Sequence, residues 1–171
     1  MESGPGAGGA SQDFHFALFI DEDGDWFHQG NRITRPEILE ALYEKVDFSE
    51  DSRFFLACET GPFFPEVADT PFVVSRVDRT GTRQGGEQIE LRLRHLPRPE
   101  ALDPGTLKAG RDNVLYCRVK NGRFPARFSR PAYYQLAEFI EENPDSGTFF
   151  IELNGTRYPI SFSGESPDRE A

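Results

Sequence analysis

The sequence predicts an α+β fold of two pseudo-repeated ββαββ units with an inserted β-hairpin between them. Three observations carry this. The run Thr34-Arg35-Pro36-Glu37-Ile38-Leu39 is echoed by Ser129-Arg130-Pro131-Ala132-Tyr133-Tyr134, each a cap residue, an arginine and a proline opening a helix. The same 19-residue step leads from Arg35 to Phe54 and from Arg130 to Phe149, the second member of the pair in each case being strand-like. Glycine turns followed by an aromatic recur around each copy: Gly24 with Trp26 and Gly122 with Phe124, then Gly61 with Phe64 and Gly155 with Tyr158. Internal repeats set the architecture before any local reading does.

Taken in order, residues 1–12 are glycine-rich and almost without large apolar groups, so they are expected to stay disordered. The first unit spans 13–70. Phe14, Phe16, Leu18 and Ile20 form one face of a strand, Asp23-Gly24 turns the chain, and Trp26-Phe27 open the return strand. Thr34 is the expected N-cap, with Pro36 in the first turn and Glu37 three residues on. Leu39, Leu42, Tyr43 and Val46 follow at helical spacing, and the polar stretch after Val46 ends the helix. Strands at 53–58 and near 63–67 complete the unit. The hairpin spans 71–96. In it Ile89, Leu91 and Leu93 alternate with Glu90, Arg92 and Arg94, one face buried and one wet. Residues 97–113, rich in proline, glycine and charge, read as a crossing segment. The second unit spans 114–163, with Asn121-Gly122 and Asn154-Gly155 as hairpin turns and Ser129 as helix cap. Residues 164–171 read as a second disordered tail.

The chain of 171 residues has 16 phenylalanines, so the core should be aromatic. Its net charge of −10 is unevenly spread: residues 1–70 carry −11, residues 71–130 carry +7 and residues 131–171 carry −6. An acidic whole repels phosphate backbones, so nucleic acid is excluded as a partner. No apolar run has the length of a membrane span. Cys58 and Cys117 lack CxxC spacing, and the N-terminus lacks a signal pattern, so a reduced, cytoplasmic protein with free thiols is expected.

The stretch from Asp23-Gly24-Asp25-Trp26 to Thr34-Arg35, the central Asp69-Thr70-Pro71-Phe72, and Arg130-Pro131-Ala132-Tyr133-Tyr134-Gln135-Leu136 resemble the motifs of the bacterial family called domain of unknown function 1285. The resemblance runs over roughly residues 15–160; Ala68 departs from it, where the family favours an acid. It implies two related α+β halves and a role in signal transduction. It implies no reaction, cofactor or catalytic residue.

Candidate chemistry is sparse. Asp21, Asp23 and Asp25 alternate like calcium-loop ligands, but a calcium loop begun at Asp21 would need glycine and glutamate where Trp26 and Arg32 stand. The glycines at 81, 85 and 86 precede a strand rather than a helix, unlike a phosphate loop. No histidine pair has metal spacing, and no metal or cofactor is expected. Arg76, Arg92 and Arg94 read as cross-strand partners of Asp78, Glu87 and Glu90. Arg35 and Arg130 stand at matched helix N-termini, where a cation is unfavourable and calls for an acid such as Asp69 or a bound anion. Ligand-binding candidates are therefore Arg35, Arg130, Tyr134, Asp69 and His28, with an anionic small molecule or a protein as partner and a homodimer as the expected assembly. Two alternatives stay open. One is a small enzyme using His28 with an acidic or thiol partner such as Cys58; the other is a structural homo-oligomer.

Overall fold

The computed structural model describes residues 17–163. The expectations for residues 1–12, for Phe14 and Phe16, and for 164–171 lie outside the described residues. The fold is α+β, with two helices among many short strands.

Around the first helix, β1 (Leu18–Ile20), β2 (Trp26–His28) and β3 (Asn31–Arg32) form an antiparallel meander. Helix α1 (Pro36–Glu44) follows. Then β4 (Val46–Phe48), β5 (Phe54–Cys58) and β6 (Gly61–Phe63) make a three-stranded sheet, and β7 (Glu66–Val67) returns parallel to β1. The hairpin is β8 (Phe72–Gly81) and β9 (Glu87–Leu93). Next come β10 (Glu100–Ala101), β11 (Lys108–Ala109), β12 (Leu115–Val119) and β13 (Phe124–Phe128). Helix α2 (Arg130–Ala137) leads into β14 (Ile140–Glu142), β15 (Phe149–Leu153), β16 (Thr156–Pro159) and β17 (Ser161–Phe162). The strand orders are β3-β2-β1-β7 in one sheet and β10-β9-β8-β13-β12-β11-β17 in the large one.

Several expectations need correction. Each helix is preceded by three consecutive strands and followed by four, so ββαββ is too short a description. The crossing segment 97–113 contains β10 and β11, which extend the large sheet on both sides. The polar stretch after α1 begins with β4, because Val46 and Phe48 pair with Leu56 and Phe54. The turn that matches Asn121-Gly122 is Gln29-Gly30: both pairs have positive φ (58° and 75°; 48° and 79°), as a two-residue hairpin turn requires. The hairpin does not stand apart from the second half, since β8 pairs in parallel with β13 through Ala126↔Phe72.

The N-cap of α1 is Arg35, not Thr34. Arg35 is the last extended residue, and its carbonyl accepts from the Ile38 and Leu39 amides. Pro36 then takes the first helical place, where a missing N–H costs nothing. At α2 the expected Ser129 cap is present, its hydroxyl accepting from the Ala132 amide at 3.4 Å. Helix α2 lies across β8, and Gln135 accepts from the Val77 amide at 2.8 Å beside the bulge between Val74 and Arg76.

The core is held by a run of rings. Trp26 meets Tyr43 edge-on at 5.3 Å, Tyr43 meets Phe72, Phe72 meets Phe124, and Phe124 stacks on Phe48 at 5.1 Å. These rings come from β2, α1, β8, β13 and β4, so the run ties the first half, the hairpin and the second half together. Each such pair adds about 0.5–1.5 kcal/mol beyond its area burial. Cys117 is buried in β12, and burial, with the nearby Glu100 adding to it, pushes its thiol pKa far up. Cys58 is exposed. A thiol reagent should therefore modify native protein at Cys58 and reach Cys117 only after unfolding. Peptide mass mapping checks this; rapid native labelling of Cys117 would contradict the packing of β12.

Candidate functional site

The polar groups at the meeting of the halves are set by two turns in the chain. In the first, Asp21 organises the loop: its carboxylate accepts from the Asp23 and Asp25 amides at 3.0 and 2.8 Å. Gly24 is needed there, since its φ is +80° and a Cβ would stand 2.8 Å from Val73 Cγ2. This turn delivers Asp25, 8 % exposed, to the end of the hairpin. Arg94 donates to Asp25 through Nε at 2.8 Å and through Nη2 at 3.1 Å. Arg32 adds a contact at 2.7 Å and His95 Nε2 one at 3.0 Å. Burial opposes the charge on Asp25, but the hydrogen bonds from Arg94 and Arg32 outweigh it and hold the carboxyl below its ordinary value. Burial also lowers the pKa of His95, only partly offset by Asp25, so the imidazole is neutral at pH 7.

In the second turn, Asp69 accepts from the Tyr116 hydroxyl at 2.8 Å and from Arg127 Nη1 at 2.9 Å. Thr70 donates to the Phe72 carbonyl and accepts from the Arg127 amide. The Pro71 carbonyl accepts from the Tyr43 hydroxyl at 3.2 Å. The Asp69–Phe72 stretch thus fastens the first half to β12 and β13. Its carboxylate is spent inside the protein.

The predicted ligand set does not assemble as expected. Arg35 is exposed and pairs with Glu37 at 2.7 Å, so the acid that balances it lies in its own helical turn rather than at Asp69. Arg130 is exposed and makes no ion pair with a described residue. Tyr134 is 63 % exposed, one turn beyond Arg130 on α2, while Tyr133 turns inward beside it with ring centroids 5.5 Å apart. His28 is half-buried in β2, while Cys58 is exposed in β5 and Asp69 is held by Tyr116 and Arg127. Trp26 is fully buried in the core. Arg76 pairs with Asp78, but along β8 rather than across the hairpin, while Glu87 takes Arg79 and Arg94 takes Asp25. No cluster among the described residues has the composition of a metal site. No helix among them is long and apolar enough to cross a membrane.

A cleft of about 510 Å³ lies where α1 meets the segment after β9. Glu40, Tyr43 and Glu44 form one wall, Leu96, Pro97 and Arg98 the other, and Lys120 reaches in from the β12–β13 turn. Lys120 is bound to Glu100 and lies 5.9 Å over the Phe72 ring. Glu40, Glu44 and Arg98 make no ion pair with a described residue. None of these three was singled out from sequence. They are ordinary surface charges until the fold faces them across one gap.

No family model matches the chain, and no curated protein matches it. Two solved structures share its fold. A DUF1285 family protein from Silicibacter pomeroyi DSS-3 aligns with a TM-score of 0.67 at 23 % identity, covering 85 % of this chain and 80 % of that one. A DUF1285 family protein from Shewanella baltica OS155 aligns with a TM-score of 0.56 at 16 % identity, covering 71 % and 90 %. The resemblance read from the Asp23-Gly24 and Asp69–Phe72 motifs is thus matched by the three-dimensional fold.

Proposed function

We propose that the protein is a non-catalytic ligand-binding module of cytoplasmic signal transduction, with its ligand in the cleft between α1 and residues 96–98. The observation that carries this reading is the uncommitted charge of both signs on the facing walls: Glu40 and Glu44 against Arg98. Charges with no internal partner at a gap of this size are free to meet a ligand. Arg98 offers a planar fork for a carboxylate or phosphate, and Tyr43, Leu96 and Pro97 supply apolar contact. The fitting ligand is an anionic metabolite with some apolar surface, and a zwitterion would also engage Glu40 or Glu44. Arg130 and Tyr134, exposed together on α2, are left for a protein partner or a second copy of the chain.

We also read the halves as two copies of one unit. The shared order of strands supports this: β3-β2-β1-β7 beside α1, and β13-β12-β11-β17 beside α2.

A thermal-shift screen of nucleotides and carboxylate metabolites tests the binding reading. A ligand at about a hundredfold its Kd adds about 2.7 kcal/mol and raises Tm by several degrees. The shift should vanish in Arg98→Ala and persist in the Arg35→Ala, Arg130→Ala double variant. A ligand that stabilises all three proteins equally would remove the cleft from consideration. Loss confined to the double variant would move the site to the helix N-termini.

A further inference from the structure

A second cleft, of about 520 Å³, opens in the other half, between α2, β11 and the sheet β14-β15-β16. Its walls are mostly apolar: Leu115, Tyr133, Phe149, Ile160 and Phe162. Phe149 and Phe162 tilt against each other at 6.3 Å, and Phe162 is 64 % exposed. One ionised group stands at this apolar gap, the carboxylate of Glu142, and it makes no ion pair with a described residue.

The first half supplies its own comparison. A cleft there is lined by Phe48, Arg53, Phe54, Phe64 and Val67, and it holds only about 250 Å³. Phe54 and Val67 stand in β5 and β7 as Phe149 and Phe162 stand in β15 and β17, each pair 95 residues apart. In this first cleft the guanidinium of Arg53 lies 4.3 Å over the Phe64 ring, so a cation already rests on the aromatic wall. The residue just before Phe149, matching Arg53 before Phe54, is Thr148. No cation is among the described residues that line the second cleft. The acid also has a register counterpart. Glu142 stands opposite Phe149 across the β14–β15 pair, where Phe48 stands opposite Phe54 across β4–β5. One half therefore has rings with a built-in cation and no acid. The other has rings with an acid and, among its described lining residues, no cation.

We propose that the second cleft is a binding site for a small organic cation carrying apolar carbon, such as an arylalkyl or alkyl amine. Its ammonium would meet Glu142, and its hydrocarbon would lie on Phe149, Phe162 and Tyr133. The volume is in the range of ligand pockets, and charge and rings both select against anions. The site is separate from the mixed-charge cleft beside α1 and shares no lining residue with it.

The test is amide chemical-shift mapping on the full chain with three probes of one shape: 2-phenylethylamine, 2-phenylethanol and phenylacetate. The amine should move amides in β11, at the end of α2, and in β14, β15 and β17, and phenylacetate should not. Glu142→Gln should weaken the amine roughly threefold to fivefold, the range expected for an exposed charge pair. Thr148→Arg, which installs the first half's cation, should weaken it as well. Both positions are exposed, so neither variant threatens the fold. Arg98→Ala should leave amine binding unchanged, which separates this proposal from the other cleft. Equal binding of phenylacetate, an unchanged Glu142→Gln, or shifts elsewhere on the protein would overturn it. So would silence from the full chain with binding only after removal of residues 164–171, which would make that segment the occupant.

Discussion

Replacing Trp26 by alanine is expected to lower stability by about 3–5 kcal/mol. The ring has no exposed surface, and it stands at the head of the run Trp26–Tyr43–Phe72–Phe124–Phe48. Its loss empties a large space between β2 and α1. The neighbours cannot close that space, because Tyr43 is anchored by its hydroxyl bond to the Pro71 carbonyl and Phe72 is pinned in β8 beside β13. Burial also pushes the Tyr43 hydroxyl pKa up to about 12, so this anchor stays protonated and able to donate at every ordinary pH. Trp26→Phe keeps a ring edge near Tyr43 and should lose much less. Urea unfolding followed by far-UV circular dichroism measures both. A midpoint for Trp26→Ala equal to wild type would mean that the ring is not part of the core.

The Trp26 environment also shows how much was legible beforehand. That Trp26 packs against the first helix follows from its place after an Asp-Gly turn and from the apolar face of residues 39–43. Asn121-Gly122, Asn154-Gly155, the Ser129 cap and the alternation of Ile89, Leu91 and Leu93 are equally local signals, and the structure shows each of them. The strands that went unseen, β3, β4, β10, β11 and β14, have no such signal, and Ile140 of β14 has the spacing of a helix residue. They are two or three residues long and exist because a neighbour offers a pairing edge. A pairing of two or three residues is too short to show in periodicity.

The polar sites divide in the same way. Asp69 stands out in sequence as the acid of a recognisable motif, yet its partners Tyr116 and Arg127 come from strands more than forty residues away. The acid that meets Arg35 is Glu37, two residues on, which the sequence marks only as a helix-start residue, while Asp69 is taken by Tyr116 and Arg127. The cleft residues Glu40, Glu44 and Arg98 belong to an amphipathic helix and a proline-rich link, where charge is the default. Only the fold distinguishes a solvated charge from one that faces another across a gap. The large step from motif to use is visible at Asp23-Gly24-Asp25-Trp26. Its glycine permits the turn, its tryptophan fills the core and its last acid holds two arginines and a histidine.

That acid carries the second large effect. Asp25→Asn keeps the shape of the side chain but removes the charge that Arg94, Arg32 and His95 share. Removing one partner of a buried pair costs about 3–5 kcal/mol, and the partial exposure of Arg94 and Arg32 sets the expectation near 3 kcal/mol or below. The pH dependence should change as well. Asp25 titrates lower in the folded protein than its ordinary 3.8, so the unfolded chain binds its proton first. Its contribution is fully present above that value and is lost as pH falls through the folded pKa. His95 also titrates lower when folded than its ordinary 6.5, so the unfolded chain again binds the proton more readily. Its contribution begins to fall as pH drops below 6.5. Wild type should therefore be most stable above about pH 6.5, decline gently below it, and decline more steeply below about pH 4. Asp25→Asn should lose the Asp25 part of the steep limb. His95 stays lowered there, since the partner that raised its pKa is gone while burial and Arg94 remain. His95→Gln should lose the gentle limb and keep the steep one. Chemical denaturation between pH 3 and 8 reads both limbs, and an Asp25→Asn profile parallel to wild type throughout would mean that Asp25 is not the charge on which the junction depends.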